Sequence, residues 1–223
     1  MTRNLGIALV VSLIAFPSIA DDRPDPKKPQ GENLKLPVGW KVILDKPKEG
    51  VVIGDAKESD IFFVNMTPGW HVTTGPAAIF YHPDCTASGE YRLESVIHLF
   101  DPSKGHNEAF GVLFGGKDLG SDARAYDYFV IRNSGEFLIK RREGAKTSAI
   151  QDWTAHAAIK RWAAGESSAK NRLAVEVGKE AVDFYINDAK VATLPRTSLS
   201  TDGIVGLRIN HHVNVHVSDL SVK

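Results

Sequence analysis

Short runs of alternating apolar and polar residues fill this chain from Trp40 to its end, and they constrain the fold more than any other feature. Such alternation is typical of β-strands with one buried face. Gly, Asp, Asn and Pro separate twelve runs, at residues 40–44, 61–65, 77–81, 90–100, 109–114, 126–132, 136–142, 172–177, 181–186, 190–193, 204–209 and 213–222. Many short strands without alternating helices predict an all-β, two-sheet antiparallel β-sandwich.

Two tight turns and one alanine-rich segment add detail to this prediction. Residues 177–180 (Val-Gly-Lys-Glu) and 186–189 (Ile-Asn-Asp-Ala) lie between alternating runs, where hairpin connections are expected. The segment 154–164 (TAHAAIKRWAA) is instead rich in alanine, which is a strong helix former. We therefore predict at most one short helix, on an edge of the sandwich.

The first twenty residues have the features of a secretory signal peptide. Arg3 precedes an apolar run over residues 5–16, and the small residues Ser18 and Ala20 occupy the −3 and −1 positions of a cleavage site. The apolar run is too short for a membrane-spanning helix, which needs about 20 residues. We predict cleavage near Ala20, no membrane span, and a secreted or periplasmic protein.

The mature chain is predicted to consist of a linker followed by one domain. Residues 21–37 contain four prolines and eight charged residues, a composition that cannot bury apolar surface. Residues 38–223 form the predicted β-sandwich. Cys85 is the one cysteine of the chain, so no intramolecular disulfide can stabilise this domain. The whole chain has 27 basic and 27 acidic residues and no basic block, which gives no electrostatic reason to expect nucleic acid as a partner. We predict a monomer.

Six segments share a pattern of strand and turn residues with a known family. They are residues 89–94 (GEYRLE), 109–114 (AFGVLF), 126–133 (YDYFVIRN), 171–177 (NRLAVEV), 184–191 (FYINDAKV) and 203–208 (GIVGLR). In this order the segments resemble the secreted bacterial 3-keto-disaccharide hydrolase family, within the concanavalin A-like lectin and glucanase superfamily. The resemblance implies a jelly-roll sandwich. It makes the chain an outlying member, because Lys170 stands where the family usually has tryptophan and Asn187-Asp188 replaces an Asn-Gly turn.

The carboxylates of the chain do not form a known glycosidase pattern. Laminarinase-type relatives of this fold carry Glu-x-Asp-x-x-Glu, whereas here the one Glu-x-Asp, at Glu58 and Asp60, is followed by Phe63 at the third position. Glu90 and Glu94 would stand about 13 Å apart along one strand. Retaining pairs need about 5 Å and inverting pairs up to about 9.5 Å, so these two cannot form a catalytic pair.

The run 90–100 is the most polar of the predicted strands. Its alternation puts Arg92, Glu94 and His98 on one face, and Glu94 and His98 are candidate catalytic bases. The order of segments would place runs 126–132 and 136–142 in the same sheet. Aromatic rings and arginines suit sugar rings and hydroxyls, so the predicted ligand-binding residues are Arg92, Glu94, His98, Tyr128, Arg132 and Arg141. The alternative is a solvated face on which Arg92 pairs with its acidic neighbours.

The histidines near the C-terminus predict no metal site. On a straight strand His212 and His216 face the same way but stand about 13 Å apart, too far for two zinc–nitrogen bonds of about 2 Å each. No metal and no other cofactor is therefore expected.

Three functions are compatible with these features. The first is a secreted carbohydrate-binding module that holds a glycan or polysaccharide on an exposed sheet face. The second is a glycoside-processing hydrolase or lyase related to the 3-keto-disaccharide hydrolases, in which a single base, Glu94 or His98, starts elimination beside an oxidised ring carbon. The third is a structural or protein-interaction domain. The sequence leaves all three open.

Overall fold

The computed structural model describes residues 34–56, 58–102 and 107–223. The predicted signal peptide, residues 1–20, and the linker residues 21–33 lie outside these ranges. Across the described ranges the chain forms fifteen β-strands and one short 3-10 helix, Arg196–Ser198. No helix in this part of the chain has the length and apolar character needed to cross a membrane.

One layer of the fold is a seven-stranded antiparallel sheet. Four of its strands follow one another in the chain and form a meander, while the other three come from distant parts of the sequence. Its spatial order is β1 (Lys41–Leu44), β5 (Ala78–Ala87), β14 (Gly203–Ile209), β7 (Phe110–Lys117), β8 (Ala125–Arg132), β9 (Glu136–Glu143) and β10 (Lys146–Ala155).

The second layer is an eight-stranded sheet, antiparallel except for the parallel pairing of its last two strands. Its spatial order is β13 (Ala189–Pro195), β12 (Ala181–Ile186), β11 (Ala169–Val177), β6 (Tyr91–Leu99), β15 (Asn214–Val222), β4 (Trp70–Thr74), β3 (Ile61–Asn65) and β2 (Ile53–Gly54). The predicted two-sheet sandwich is confirmed, with one parallel pair at an edge.

The core lies between the two sheets and consists of the inward-facing side chains of both. Leu93 and Ile97 of β6 are fully buried, as the alternation of residues 90–100 predicts. Phe129 of β8 packs edge-on against Phe184 of β12 across the layers, with ring centroids 5.2 Å apart. Burial of one such large apolar side chain stabilises the folded state by about 1.5–3 kcal/mol. The core can therefore stabilise the fold without a disulfide.

Each of the twelve predicted strands is present, and the structure adds β2, β4 and β10. Strand β10 escaped prediction because most of its residues are exposed or half-buried, so its sequence carries no apolar alternation. Both predicted hairpins are confirmed. In the second, Asn187 and Asp188 have φ values of 48° and 69°, the left-handed conformation that a tight two-residue hairpin requires and that asparagine and aspartate tolerate.

The candidate helix over residues 154–164 does not form, which agrees with the prediction of at most one short helix. Strand β10 ends at Ala155, and the following residues form turns and an irregular loop. The Asn171 side chain accepts a hydrogen bond from the Lys160 backbone N–H at 2.9 Å and donates one to its carbonyl at 2.8 Å. Because this side-chain amide pairs with backbone groups that a helix would pair internally, tertiary contacts override the helix propensity of alanine.

Candidate functional site

The predicted ligand-binding residues lie on two different sheets. Arg92, Glu94 and His98 belong to β6 of the eight-stranded sheet, whereas Tyr128, Arg132 and Arg141 belong to β8 and β9 of the seven-stranded sheet. The prediction that they share a sheet is therefore wrong. The reason is that the chain crosses from one sheet to the other both before and after β6, so neighbouring runs in the sequence are not neighbours in space.

The outer side of the eight-stranded sheet, which we call the charged face, is occupied by ion pairs. Arg92 Nη1 lies 2.6 Å from Glu176 Oε2, and Arg92 Nε lies 3.2 Å from Glu94 Oε2. The Arg92 guanidinium also stacks on the Tyr185 ring, 4.9 Å from its centroid. Glu94 is 8% exposed and Arg172 lies 3.9 Å from its other oxygen, so this carboxylate is enclosed by two arginines.

Three histidines lie side by side on the charged face, one each on β6, β15 and β4. His98 is directly opposite His216, which is directly opposite His71, and the rings of His98 and His216 are 5.7 Å apart. Burial, aided by the charge of His216, lowers the pKa of His71 from 6.5 to about 4. Across the described residues no three His, Cys, Asp or Glu side chains are placed to hold a metal ion.

The outer side of the seven-stranded sheet carries a cleft of about 630 Å³. Ligand sites commonly have this volume and combine an apolar lining with a few polar groups. The segment 45–48, which follows β1, and residues 210–211, which follow β14, contribute to its walls. Seven residues from β8, β9, β10 and β14 line it as well, namely Tyr128, Val130, Leu138, Lys140, Thr147, Trp153 and Arg208.

Trp153 is the aromatic side chain of the cleft that is most open to contact. It is half-buried, and the Arg132 guanidinium lies over its ring, 3.9 Å from the centroid. Arg132 is held in turn by Glu136, whose Oε2 accepts hydrogen bonds from Arg132 Nε at 3.0 Å and Nη2 at 2.7 Å. Arg132 therefore supports the tryptophan and does not itself line the cleft.

Asp45 ties one wall of the cleft to the sheet. Its carboxylate pairs with Arg142 Nη1 and, at 3.2 Å, with Arg208 Nη2. Its backbone carbonyl accepts hydrogen bonds from Arg124 and Arg142, at 2.9 and 3.0 Å. Because three arginines from two strands and a loop converge on this one residue, the segment that begins at Asp45 is held in a defined position above the sheet.

Tyr128 and Arg208 form the floor of the cleft together. The Arg208 guanidinium lies 5.7 Å from the Tyr128 ring centroid. Burial raises the pKa of Tyr128 to about 12, so its hydroxyl stays protonated. Arg208 is 6% exposed, and its Nε and Nη1 atoms have no hydrogen-bond partner within the described part of the chain. Buried donors of this kind are uncommon and carry a free-energy cost.

No protein-family model matches this chain, and no curated protein matches it. Solved structures do. The carbohydrate-binding module CBM66 from Bacillus subtilis is 13% identical, with a TM-score of 0.58 over 83% of this chain and 95% of that one. A Bacillus subtilis protein with a galectin-like fold is 10% identical, with a TM-score of 0.56 over 82% and 88%.

A third similar structure is the GH16 protein of a Bacteroides ovatus mixed-linkage glucan locus, in complex with a G4G4G3G product. It is 10% identical, with a TM-score of 0.53 over 82% of this chain and 94% of that one. The chain has the concanavalin A-like jelly-roll fold. Identities this low establish the fold alone. The narrower resemblance to 3-keto-disaccharide hydrolases stays a prediction.

Arg141 has a structural position in this jelly roll. Its Nε and Nη2 each donate to one oxygen of Asp127 at 2.8 Å, and Nη2 also donates to the Ser198 carbonyl at 3.0 Å. Asp127 is fully buried and accepts a further hydrogen bond from the Ser200 backbone N–H at 2.8 Å. The ion pair thus links the seven-stranded sheet to the segment that follows β13 of the other sheet. It does not line the cleft.

Of the predicted ligand-binding residues, Tyr128 alone lines the cleft. Its other polar and aromatic residues, among them Asp45, Lys140, Trp153 and Arg208, were not predicted. Arg208 carried a usable signal, because it is the one charged residue in the apolar run 204–209. A charge within a buried strand is seldom tolerated without a partner or a role. Trp153 carried a weaker signal, because a tryptophan in a polar stretch has few apolar neighbours along its own strand.

Proposed function

We propose that this protein binds a glycan in the cleft of the seven-stranded sheet. The observation that carries the proposal is the placement of a half-buried Trp153 beside Tyr128, Arg208 and Asn210 in one cleft of about 630 Å³. Sugar rings offer apolar C–H surfaces that pack on aromatic rings, and their hydroxyls need directional donors and acceptors. An aromatic surface surrounded by amide, phenol and guanidinium groups meets both needs.

The similar structures support this proposal. One of them is a carbohydrate-binding module, and another holds an oligosaccharide product. Both share the sandwich architecture over most of this chain's length. Their ligands suggest the class of molecule to test first, and the residues of the cleft carry the argument for this chain.

The residues of the cleft support glycan binding better than they support cleavage of a glycosidic bond. The carboxylate that lines the cleft, Asp45, is already engaged by Arg142 and Arg208. The candidate bases of the hydrolase or lyase alternative, Glu94 and His98, lie on the opposite sheet. That alternative therefore stays a prediction from the sequence, as does the third one, a structural or protein-interaction domain.

Export is part of the proposal, because polysaccharides are encountered outside the cytoplasm. We expect the protein recovered from its producing cells to begin at or near Asp21, which follows the predicted cleavage site. Intact mass spectrometry of the periplasmic and medium fractions measures this directly. A soluble cytoplasmic pool that keeps residues 1–20 would contradict export.

Replacement of Trp153 by alanine should weaken glycan binding by at least about tenfold, since a central aromatic anchor commonly contributes 2 kcal/mol or more. The measurement starts with the full mature chain on an array of oligosaccharides from β-glucans, fructans and acidic polysaccharides. The strongest ligand is then titrated into the parent protein and the variant by calorimetry. The thermal midpoint of each protein reports whether the fold is intact.

Tyr185→Ala is the matched control for Trp153→Ala. Tyr185 is also a half-buried aromatic residue beneath an arginine, but it lies on the charged face. We expect this variant to bind like the parent. If Tyr185→Ala abolishes binding and Trp153→Ala does not, the binding site is on the charged face and the proposed cleft is wrong. If the parent binds no glycan on the array, the proposed function is wrong.

A further inference from the structure

The cleft has a surplus of basic side chains that the composition of the chain does not explain. Acidic and basic residues are equal in number over the whole sequence, at 27 each. Among the described residues, however, the cleft is lined by one carboxylate, Asp45, and by four fixed cations, Lys46, Lys48, Lys140 and Arg208. The imbalance is therefore local to this surface.

A second cavity adjoins the cleft and extends this surplus. It also measures about 630 Å³ and shares Asp45 and Lys46 with the cleft. Of the described residues, it adds the cations Arg124 and Arg142 and the carboxylate Asp122. Together the two cavities are thus lined by six basic and two acidic side chains among the described residues.

The lysines of the cleft have no acidic partner within residues 34–56, 58–102 and 107–223. Lys46, Lys48 and Lys140 form no ion pair there, whereas Lys190 on the charged face lies 2.7 Å from Asp183. Lys140 lies on β9 between strands β8 and β10, is half-buried and lines the cleft. An anion that reaches these ammonium groups gains charge-assisted hydrogen bonds without first displacing a protein carboxylate.

Arg208 adds a buried cation whose charge is only partly compensated. It shares the carboxylate of Asp45 with Arg142, so one negative charge serves two guanidinium groups. Its Nε and Nη1 atoms find no hydrogen-bond acceptor in the described structure. Since a guanidinium group has five N–H donors, Arg208 keeps unmet hydrogen-bonding capacity at these two buried atoms, next to the floor of the cleft. A negatively charged ligand would lower the electrostatic cost of this arrangement.

We propose that the ligand of the cleft is an acidic glycan, one whose sugar units carry carboxylate or sulfate groups. This inference rests on the proposed function and adds the chemical class of the ligand. A sugar ring packs on Trp153, and an anionic substituent lies toward Lys140 and Arg208. Lys46 and Lys48 on the opposing wall interact with the charges of neighbouring units along the polysaccharide.

The test uses pairs of ligands that differ only in charge. Oligogalacturonate is compared with its methyl ester, and a sulfated galactan oligosaccharide with its desulfated form, each titrated into the full mature chain. At least one acidic member should bind about tenfold or more tightly than its neutral counterpart, because hydrogen bonds to charged groups are the stronger ones. The preferred pair distinguishes carboxylate from sulfate. Affinity for the acidic member should fall as salt rises from about 0.05 M to about 0.5 M.

Variants then locate the charge effect. Lys140→Gln should weaken binding of the preferred acidic ligand by about tenfold more than binding of its neutral counterpart. Lys170→Gln is the control, because Lys170 is an exposed lysine of the charged face and the variant loses the same charge. Lys170→Gln should bind like the parent. Equal weakening by both variants would mean that the attraction is unspecific, and would overturn the proposed charge recognition in the cleft.

Failure of this inference differs from failure of the proposed function. If neutral and acidic members of both pairs bind equally, and Trp153→Ala weakens them all, the cleft binds glycans without charge selection and this inference is wrong. If no ligand of either pair binds and the wider array is also negative, the proposed function fails and the inference fails with it.

Discussion

Replacement of Arg141 by alanine should lower the free energy of unfolding by about 3–5 kcal/mol, the range expected when one member of a buried ion pair is removed. Asp127 is fully buried and would keep the Ser200 N–H as its hydrogen-bond donor, without a compensating cation. Pairing with Asp127 raises the pKa of Arg141, so this contact favours the charged form of the guanidinium group. Urea unfolding followed by tryptophan fluorescence measures the loss.

Arg132→Ala is the control for this variant. Arg132 pairs with Glu136, whose side chain is also solvent-accessible, and lies over Trp153. Solvent-accessible ion pairs contribute about 0–1 kcal/mol, so the loss of Arg132 should cost clearly less stability than the loss of Arg141. The double variant Asp127→Ala with Arg141→Ala should lose less stability than the sum of the two single variants, since residues in direct contact are not independent. An Arg141→Ala protein that unfolds like the parent but loses glycan binding would instead support the sequence-based assignment of Arg141 as a ligand-binding residue.

The strands could be predicted because their signal is local. In the run 90–100 the alternate positions are apolar except for Ser95, and two of them, Leu93 and Ile97, are fully buried in the structure. The hairpin at Asn187 and Asp188 could also be predicted from the sequence, because few residue types accept two consecutive left-handed conformations. Such features depend on neighbouring residues alone, and no knowledge of distant contacts is needed to recognise them.

The candidate site could not be assembled in the same way, because sheet membership depends on long-range pairing. Strand β6 pairs with β11 and β15, which lie far from it in the sequence, while the adjacent β7 joins the other sheet. In β9 the alternation of apolar and polar residues also did not show which side chains face the core. Both Leu138 and Ile139 are buried, the first on the outer side of the sheet and the second in the core. The sequence therefore did not reveal that Arg141 faces inward and Lys140 outward.

A fall in pH from about 7.5 to about 4 should destabilise the protein partly through His71. This side chain is 1% exposed, and its ring lies 6.0 Å from that of Phe62 and 5.7 Å from that of Phe100. Burial, with a smaller effect from the charge of His216, holds its pKa at about 4 in the folded protein, against an ordinary value of 6.5. The pKa values of His98 and His216 are also lowered, mainly by burial.

The direction of the effect follows from which state binds the proton first. The unfolded chain protonates His71 near its ordinary pKa of about 6.5, whereas the folded protein resists protonation until about pH 4. The contribution of neutral His71 to stability is therefore complete above pH 6.5 and is lost as the pH falls toward 4. At about 1.4 kcal/mol per pKa unit, the loss from His71 alone amounts to about 3 kcal/mol.

His71→Gln should remove that part of the pH dependence while keeping a polar group near Thr73 Oγ1, which lies 3.2 Å from His71 Nε2. Urea unfolding of the parent and the variant at about pH 7.5 and about pH 4 gives four free energies. The stability lost between the two pH values should be about 3 kcal/mol smaller in the variant. Carboxylates that protonate in this range act in both proteins, so the difference isolates the histidine. Equal losses in the two proteins would show that His71 is not held neutral by its burial.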